Sequence, residues 1–228
     1  MLIDLFTSGF DKYVVIQFLI FVPIFLITIT VHEYSHAYAA YKMGDPTARS
    51  LGRLTLNPIK HIDPIGLVMI LIVGFGWAKP VPINTRHFKN ARKGMMISAA
   101  AGPLSNLFMA LIGAVILGLI NFFYYSYASS AITVVEMARW FFSQFMTLNV
   151  YFAVFNLIPV PPLDGSRIVS YILPYKLSYY YNYVERYGIL ILILLMNIPI
   201  MRVPLVALSG WIIAGIVYVL RFVPFLLL

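Results

Sequence analysis

The chain has 228 residues, of which 61% are hydrophobic and only 11% are charged. Soluble domains carry about 25% charged residues, so this composition excludes an ordinary water-soluble globule, a disordered chain and the usual kind of nucleic-acid-binding domain, and it predicts an all-α polytopic membrane protein. Lysine and arginine number 16 against 8 aspartates and glutamates, which indicates cytoplasmic loops beside anionic lipid, and the absence of cysteine excludes a thiolate metal site.

Five apolar segments approach the length needed to cross a hydrocarbon core of about 30 Å at a rise of about 1.5 Å per residue. They are residues 13–31, 95–121, 140–158, 187–201 and 203–220. The first helix is expected to continue to about Lys42, because Gly44 is a natural C-terminal stop. We predict about five to six transmembrane helices in a single integral-membrane domain over residues 1–228, with a core at about 13–175 and extra C-terminal spans at about 180–221.

A further apolar segment, residues 65–77, is short for a complete crossing. Basic residues cluster in three segments, at 42–60, 79–93 and 167–186, whereas the loop near 123–132 is neutral. All three basic clusters lie on one side of the membrane only if residues 65–77 do not cross it. We therefore predict that residues 51–93 form a re-entrant or β-hairpin segment embedded in the membrane, which requires burial in protein or a wet cavity.

The first predicted span contains the motif His32-Glu33-Tyr34-Ser35-His36. Residues i and i+4 of a helix share one face, so the two imidazoles are able to bind one zinc, with Glu33 beside it to activate a water. Ionisable residues inside a spanning helix are costly and are functional candidates by default. The alternative is a pair of histidines that hydrogen-bond to neighbouring helices, with Glu33 neutral or paired.

A catalytic zinc usually has three protein ligands and one open position. Without cysteine, the candidates for the third ligand are Asp45, His61, Asp63, His87, Glu136, Asp164 and Glu185. Asp164 ends the segment 156–164, whose three prolines cannot continue a helix. Its alternative role is the N-cap of a helix that starts at Ser166. Geometry favours the ligand, because His32 and Asp164 reach a similar depth if residues 65–77 do not cross.

The motif HEYSH in an N-terminal span, followed by NLIPVPPLDG at residues 156–165, resembles the site-2 protease family of intramembrane zinc metalloproteases. Residues 54–66 and 101–106 also look like the short prokaryotic branch of that family, and the resemblance covers about residues 20–175. It implies zinc-dependent hydrolysis of peptide bonds within transmembrane segments, with one Zn²⁺ per chain, in the cell membrane of a prokaryote and with the active site toward the cytoplasm. We expect no PDZ or nucleotide-sensing domain.

The resemblance also assigns roles to individual residues. His32, His36 and Asp164 match the zinc ligands, and Glu33 matches the catalytic glutamate. Asn156 matches an asparagine that helps to hold the substrate or the developing oxyanion, a type of contact worth about 3–4 kcal/mol. The alternative for Asn156 is a role in helix packing.

The expected partners are a transmembrane protein or peptide substrate and membrane lipid, with no nucleic acid. A helical substrate must unwind locally to expose its carbonyls. Residues 51–57 and 80–84 have a strand-like composition, so one of them is a candidate to pair with the unwound substrate as an added strand; the alternative is an ordinary re-entrant turn.

Three further polar residues keep open roles. His61 and His87 are each a candidate partner of a zinc ligand, a gate or an interfacial histidine, and the interfacial role is favoured for His87. Asn106 either lines the cavity or makes a hydrogen bond between helices.

Two other functions compete with proteolysis. One is a divalent-metal transporter or channel, which would more often show paired broken helices and several acidic residues near the midplane. The other is an inactive scaffold that binds transmembrane partners, against which the intact Glu33 and both motif histidines speak.

Overall fold

The computed structural model of the chain describes residues 12–73, 77–126 and 132–221, and these residues are mostly helical. The α-helices of the described residues are α1 (Lys12–Lys42), α2 (Thr47–Ser50), α3 (Pro64–Val73), α4 (Ala91–Ser126), α5 (Ile132–Asn156), α6 (Asp164–Ile172), α7 (Tyr175–Val184), α8 (Gly188–Asn197) and α9 (Pro199–Leu220). Short 3₁₀ turns occupy Pro58–Lys60, Thr85–His87 and Glu185–Tyr187. The expectation of an all-α architecture is confirmed for this part of the chain.

Three helices are long and apolar enough to cross a membrane. They are Val15–Lys42 in α1, Ala91–Tyr124 in α4 and Arg202–Leu220 in α9. The first, with 28 residues, is about 42 Å long at 1.5 Å per residue, more than a hydrocarbon core of about 30 Å requires. These three helices coincide with three of the five predicted spans, and they make the chain a multi-pass membrane protein.

The other two predicted spans have a different form. Residues 140–158 fall largely within α5. Residues 187–201 are divided between α8 and α9 by Ile198, which has extended dihedral angles of φ −93° and ψ 120°. The ten residues of α8 cover only about 15 Å, although α7 and a 3₁₀ turn precede it directly. The total number of spans therefore stays a prediction.

Small residues let α1, α4 and α5 approach one another closely. Ala110 and Ala114 of α4 are fully buried against Val150 and Val154 of α5. A Cβ atom at Gly113 would lie 2.9 Å from the ring of Phe145. Small side chains at helix crossings in membranes permit such close backbone packing. The resulting three-helix core fixes the position of the motif-bearing end of α1.

The segment between α2 and α4 contains α3 and extended backbone but no strand among its described residues. Asp63 caps α3, because its carboxylate accepts a 2.8 Å hydrogen bond from the Gly66 amide. The β-hairpin alternative is not borne out: strand-like pairing is limited to one isolated antiparallel bridge, Ile62 with Ala78. Pro80 and Pro82 explain this result in physical terms, since proline has no N–H to donate to a ladder.

Candidate metal centre

The C-terminal half of α1 carries the motif histidines on one buried face. His32 and His36 are 3% and 6% exposed. Their Nε2 atoms lie 3.0 Å apart, as expected for side chains at i and i+4 of one helix. The helix therefore delivers two imidazole nitrogens to a single point.

Asp164 completes the cluster from a different part of the chain. It is the first residue of α6, and its Oδ2 atom lies 3.1 Å from the Nε2 atoms of both His32 and His36. Leu163, not Asp164, occupies the N-cap position of α6. A Cβ atom at Gly165 would lie 2.2 Å from the Leu157 carbonyl oxygen, so the glycine allows α6 to start against the end of α5.

The other nitrogen of each motif imidazole faces an oxygen. His36 Nδ1 lies 2.7 Å from the Ser98 carbonyl oxygen, and His32 Nδ1 lies 2.5 Å from Asn106 Oδ1. Because carbonyl oxygens only accept hydrogen bonds, both Nδ1 atoms carry a proton, and Nε2 is then the atom of each neutral imidazole whose lone pair is able to bind a metal. The cluster thus points two nitrogen lone pairs and one carboxylate oxygen at the same place.

These three groups fit zinc. Zinc binds imidazole nitrogen and carboxylate oxygen at about 2.0–2.2 Å, and two ligands of a tetrahedral site are then about 3.3 Å apart. The separations of 3.0, 3.1 and 3.1 Å are close to that value. Among the described residues, the group that is able to hold a metal ion consists of His32, His36 and Asp164. Three buried protein ligands also leave a fourth position, as catalytic zinc sites require.

Gly102 of α4 packs directly against the two histidines. A Cβ atom at this position would lie 2.4 Å from His36 Nε2 and 2.6 Å from His32 Cε1. Residues 101–106 stood out in the sequence only through their resemblance to a family, and no spacing rule identified Gly102 as part of the site. Its role follows from the close approach of α4 to α1.

Glu33 points toward a different neighbour from the histidines. It is 9% exposed, and its Oε2 atom accepts a 3.0 Å hydrogen bond from the buried Val81 amide. Val81 belongs to the extended segment before α4. The motif glutamate is therefore outside the group of metal-ligating atoms and is oriented by the main chain of residues 80–84.

Asn156 is the last residue of α5, and its amide donates a 2.9 Å hydrogen bond to the Phe152 carbonyl oxygen one turn earlier. The structure gives it no hydrogen bond to the three clustered residues. The role assigned to Asn156 by resemblance stays a prediction.

The remaining histidines lie apart from the cluster. His61 is fully buried, with Nε2 2.7 Å from the Thr55 carbonyl oxygen. His87 has a half-exposed side chain and lies 2.9 Å from Asp45 Oδ1. Neither histidine contacts a motif residue by a hydrogen bond in the described part of the chain.

Asp45 anchors the loop after α1 to the segment before α4. Its buried carboxylate accepts hydrogen bonds from Thr47 and His87. It also accepts one, at 2.7 Å, from the main-chain N–H of Asn84. Burial alone would raise the pKa of Asp45, but these hydrogen bonds outweigh it and hold the pKa below its ordinary value. Asp45 is therefore a structural carboxylate and not a metal ligand in this fold.

Comparison with known proteins gives a consistent result. The model of Peptidase family M50 matches residues 20–196. A Bacillus subtilis (strain 168) protein named "Putative zinc metalloprotease YwhC" is 42% identical over 175 residues, which cover 77% of this chain and 78% of the relative. No solved structure matches the chain.

Mycobacterial relatives are more distant. A Mycolicibacterium smegmatis protein named "Putative zinc metalloprotease Rip2" is 29% identical over 188 residues, covering 80% of this chain and 68% of the relative. The Mycobacterium tuberculosis (strain H37Rv) protein of the same name is 31% identical over 146 residues, which are 61% of this chain and 52% of the relative. The match thus extends over only about half of the M. tuberculosis relative.

Proposed function

Because this chain belongs to peptidase family M50 and is an intramembrane zinc metalloprotease, we propose that His32, His36 and Asp164 hold the zinc and that Glu33 is the general base. The observation that carries this assignment is the convergence of three buried ligand atoms from α1 and α6. Zinc bound there supplies Lewis-acid polarisation of the scissile carbonyl and lowers the pKa of a coordinated water toward about 7.

Glu33 takes the proton from the attacking water and passes it to the leaving nitrogen. The Val81 amide, hydrogen-bonded to Oε2, holds the carboxylate at a fixed orientation during both transfers. A main-chain donor suits this task because no side-chain rotation is able to withdraw it. This arrangement assigns proton transfer to Glu33 and metal binding to its neighbours in the helix.

Asn156 is proposed to donate its amide to the oxyanion that develops on the scissile carbonyl. Its position supports the proposal: it ends α5, and eight residues later Asp164 begins α6. The amide must leave the Phe152 carbonyl oxygen, a single hydrogen bond in its own helix. Loss of one such donor costs about 10²–10³ in kcat in other hydrolases.

The substrates are peptides or membrane proteins, and we propose that the cleaved bond lies in a transmembrane segment with lipid as the surrounding partner. Residues 80–84 lie outside any helix or strand, and the Val81 amide is bonded to Glu33. An unwound stretch of substrate is proposed to lie along them in the manner of an added strand, with its N–H groups donating to their carbonyl oxygens. The side chains that would recognise it are those next to Val81.

For the topology, we propose five to six spans in one domain over residues 1–228, with residues 51–93 re-entrant. The three basic segments then face the cytoplasm, and the metal centre lies toward the cytoplasmic side of the plasma membrane of a prokaryote. The charge pattern supports this orientation. It also agrees with the contact between His32 and Asp164. For these residues to meet, the helix ends next to the basic loops must lie at the same depth in the membrane.

Transport of a divalent metal, the alternative function, is not favoured by any observation. The described ligands form one tight three-residue group, and all three relatives reported above are named as putative zinc metalloproteases. A transport path would need further ionisable groups along the bundle.

The test of the proposed function is the variant Glu33→Gln, which keeps the shape and polarity of the side chain and removes its basicity. Zinc content should stay at the wild-type level, while cleavage of a model transmembrane substrate in liposomes should fall at least about 10²-fold. His36→Ala is the matched control and should lose zinc and cleavage together. Cleavage by Glu33→Gln at the wild-type rate would refute the assignment of Glu33.

A further inference from the structure

A chain of fully buried polar side chains runs from the helix core to the metal centre. Asn106 of α4, Asn149 of α5 and Thr28 of α1 are each 0% exposed. The Asn106 amide donates to Asn149 Oδ1 at 3.0 Å and to the Thr28 carbonyl oxygen at 3.2 Å. The Asn149 amide donates to Thr28 Oγ1 at 3.1 Å and to the Phe145 carbonyl oxygen at 2.9 Å. This series of hydrogen bonds ends at the metal centre, where Asn106 Oδ1 lies 2.5 Å from His32 Nδ1.

The hydrogen bonds among these buried side chains have only one consistent direction. An asparagine side chain offers two N–H donors and one acceptor oxygen. Both donors of Asn106 are used by oxygens of Thr28 and Asn149, so the acceptor oxygen must face His32. The flipped amide would set its oxygen against two other acceptors, and each buried polar group left unpaired costs about 1–3 kcal/mol.

Asn149 extends the same constraint by one step. Its two donors are used by Thr28 Oγ1 and by the carbonyl oxygen of Phe145 in its own helix. Its oxygen therefore faces Asn106 and accepts the hydrogen bond from the Asn106 amide. Three helices thus determine which way the Asn106 amide points.

We propose that Asn106 is a positioning residue that fixes the tautomer and ring orientation of His32, and that Asn149 and Thr28 hold Asn106 in the required orientation. A proton on Nδ1 of His32 leaves the lone pair on Nε2, the atom that faces Asp164. Hydrogen-bond partners of metal-ligating histidines elsewhere also raise ligand basicity and fix the ring. This inference rests on the proposed role of His32 as a zinc ligand.

The two ligand histidines are held by different means. His36 is oriented by the main-chain carbonyl of Ser98, which no substitution removes. His32 is oriented by a side chain, Asn106, and therefore depends on the identity of a residue 74 positions away. Substitutions of the buried polar residues Thr28, Asn106 and Asn149 should consequently act on the His32 side of the zinc site.

The experiment measures the zinc dissociation constant of the full chain in lipid nanodiscs by competition with a chelator. Asn106→Leu should weaken zinc binding about 10- to 100-fold, the range found for lost partners of metal ligands. Asn106→Asp should lose less affinity than Asn106→Leu, because a carboxylate oxygen still accepts the Nδ1 proton although the donors to Thr28 and Asn149 are gone. Asn121→Leu is the matched control: it removes another buried asparagine of α4, one hydrogen-bonded to Arg139, and should leave zinc affinity unchanged.

The Asp variant separates positioning from packing. It loses both donors that tie Asn106 to Thr28 and Asn149, so a role in helix packing alone would make Asp at least as harmful as Leu. Equal loss of affinity in both variants, or wild-type affinity in Asn106→Leu, would overturn the proposal. Failure of the proposed function has a different signature: His32→Ala itself would then bind zinc as the wild type does.

The wild-type protein provides a second measurement if the leucine variant does not fold. Nitrogen-15 NMR of histidine-labelled, zinc-free chain should show His32 protonated at Nδ1, with its signal identified by its disappearance in His32→Gln. A neutral His32 ring protonated at Nε2 alone would contradict the inference without any substitution at Asn106.

Discussion

Gly102 is the point at which α4 comes closest to the two motif histidines. In Gly102→Ala, the new methyl group would lie 2.4 Å from His36 Nε2, and the imidazole is unable to retreat because its Nδ1 is bonded to Ser98. We expect zinc affinity to fall at least about tenfold. Alanine is a better helix former than glycine by about 1 kcal/mol, which offsets part of the roughly 1–3 kcal/mol that overpacking costs.

Zinc affinity and the circular dichroism melting curve of Gly102→Ala, measured side by side, check this prediction. Gly215→Ala is the control, because a Cβ atom at Gly215 meets nothing within 4 Å. Unchanged zinc binding in the Gly102 variant would mean that α4 moves away from the histidines at little cost.

Asp45 is expected to make the stability of the α1–α2 connection depend on pH. Its pKa is below the ordinary value, so the folded state binds this proton less readily than the unfolded state does. The stabilisation is therefore present above about pH 4 and is lost as the pH falls through the lowered pKa. Thermal unfolding of wild type and Asp45→Asn should differ near pH 6, and the difference should shrink in acid. A constant difference across that range would assign the effect to packing.

Single residues differ in how far the sequence alone reveals them. The pairing of His32 with His36 is predictable because the two residues are one helical turn apart, whereas Asp164 is one of seven candidates for a third ligand and is favoured by its expected depth in the membrane. Ser98 and Asn106 are not predictable as partners of those histidines, since 62 and 74 residues separate the members of each pair. Contacts of that kind depend on which helices pack together, and hydrophobic periodicity does not encode this.

At the scale of elements, the sharpest prediction concerns the side of the membrane on which the loops around α3 lie. Reporters in residues 42–60, 79–93 and 167–186 should all indicate the cytoplasm, and a reporter near 126–129 should indicate the outside, because basic loops stay inside. Reporter fusions or cysteine labelling of intact cells provide the measurement. Opposite sides for 42–60 and 79–93 would exclude the re-entrant arrangement and would place the two loops flanking α3 across the membrane from each other.

Element boundaries follow from local signals where a proline or a cap is present. Asp63 and Pro64 mark the start of α3, where a capping carboxylate precedes a proline at the first helical position. Pro199 explains the interruption within residues 187–201, because the residue before a proline is disfavoured in the helical region and Ile198 is extended. Pro23 and Pro103, in contrast, lie inside α1 and α4, where neighbouring helices are able to compensate for a lost hydrogen bond. Proline alone therefore does not decide between a break and a continuous helix.

At the scale of the whole molecule, zinc held by the proposed ligands would link α1 to α6 and should stabilise the entire bundle. The wild-type protein should carry about one zinc per chain, and chelation should lower its melting temperature, because a ligand that binds the folded state at 100 times its Kd contributes about 2.7 kcal/mol. Asp164→Ala should lose zinc and become insensitive to the chelator. Full zinc occupancy in Asp164→Ala would remove Asp164 from the ligand set.

The distance along the chain between the two parts of the metal centre has a consequence during synthesis. Asp164 is made 128 residues after His36, which at about 5–20 residues per second takes about 6–26 seconds. Throughout this interval the nascent chain has the glutamate and both histidines in its first membrane helix but lacks the third ligand. The proposed third ligand is therefore added only after α1, α4 and α5 have been synthesised, so the chain is unable to hydrolyse peptide bonds while those helices are being made.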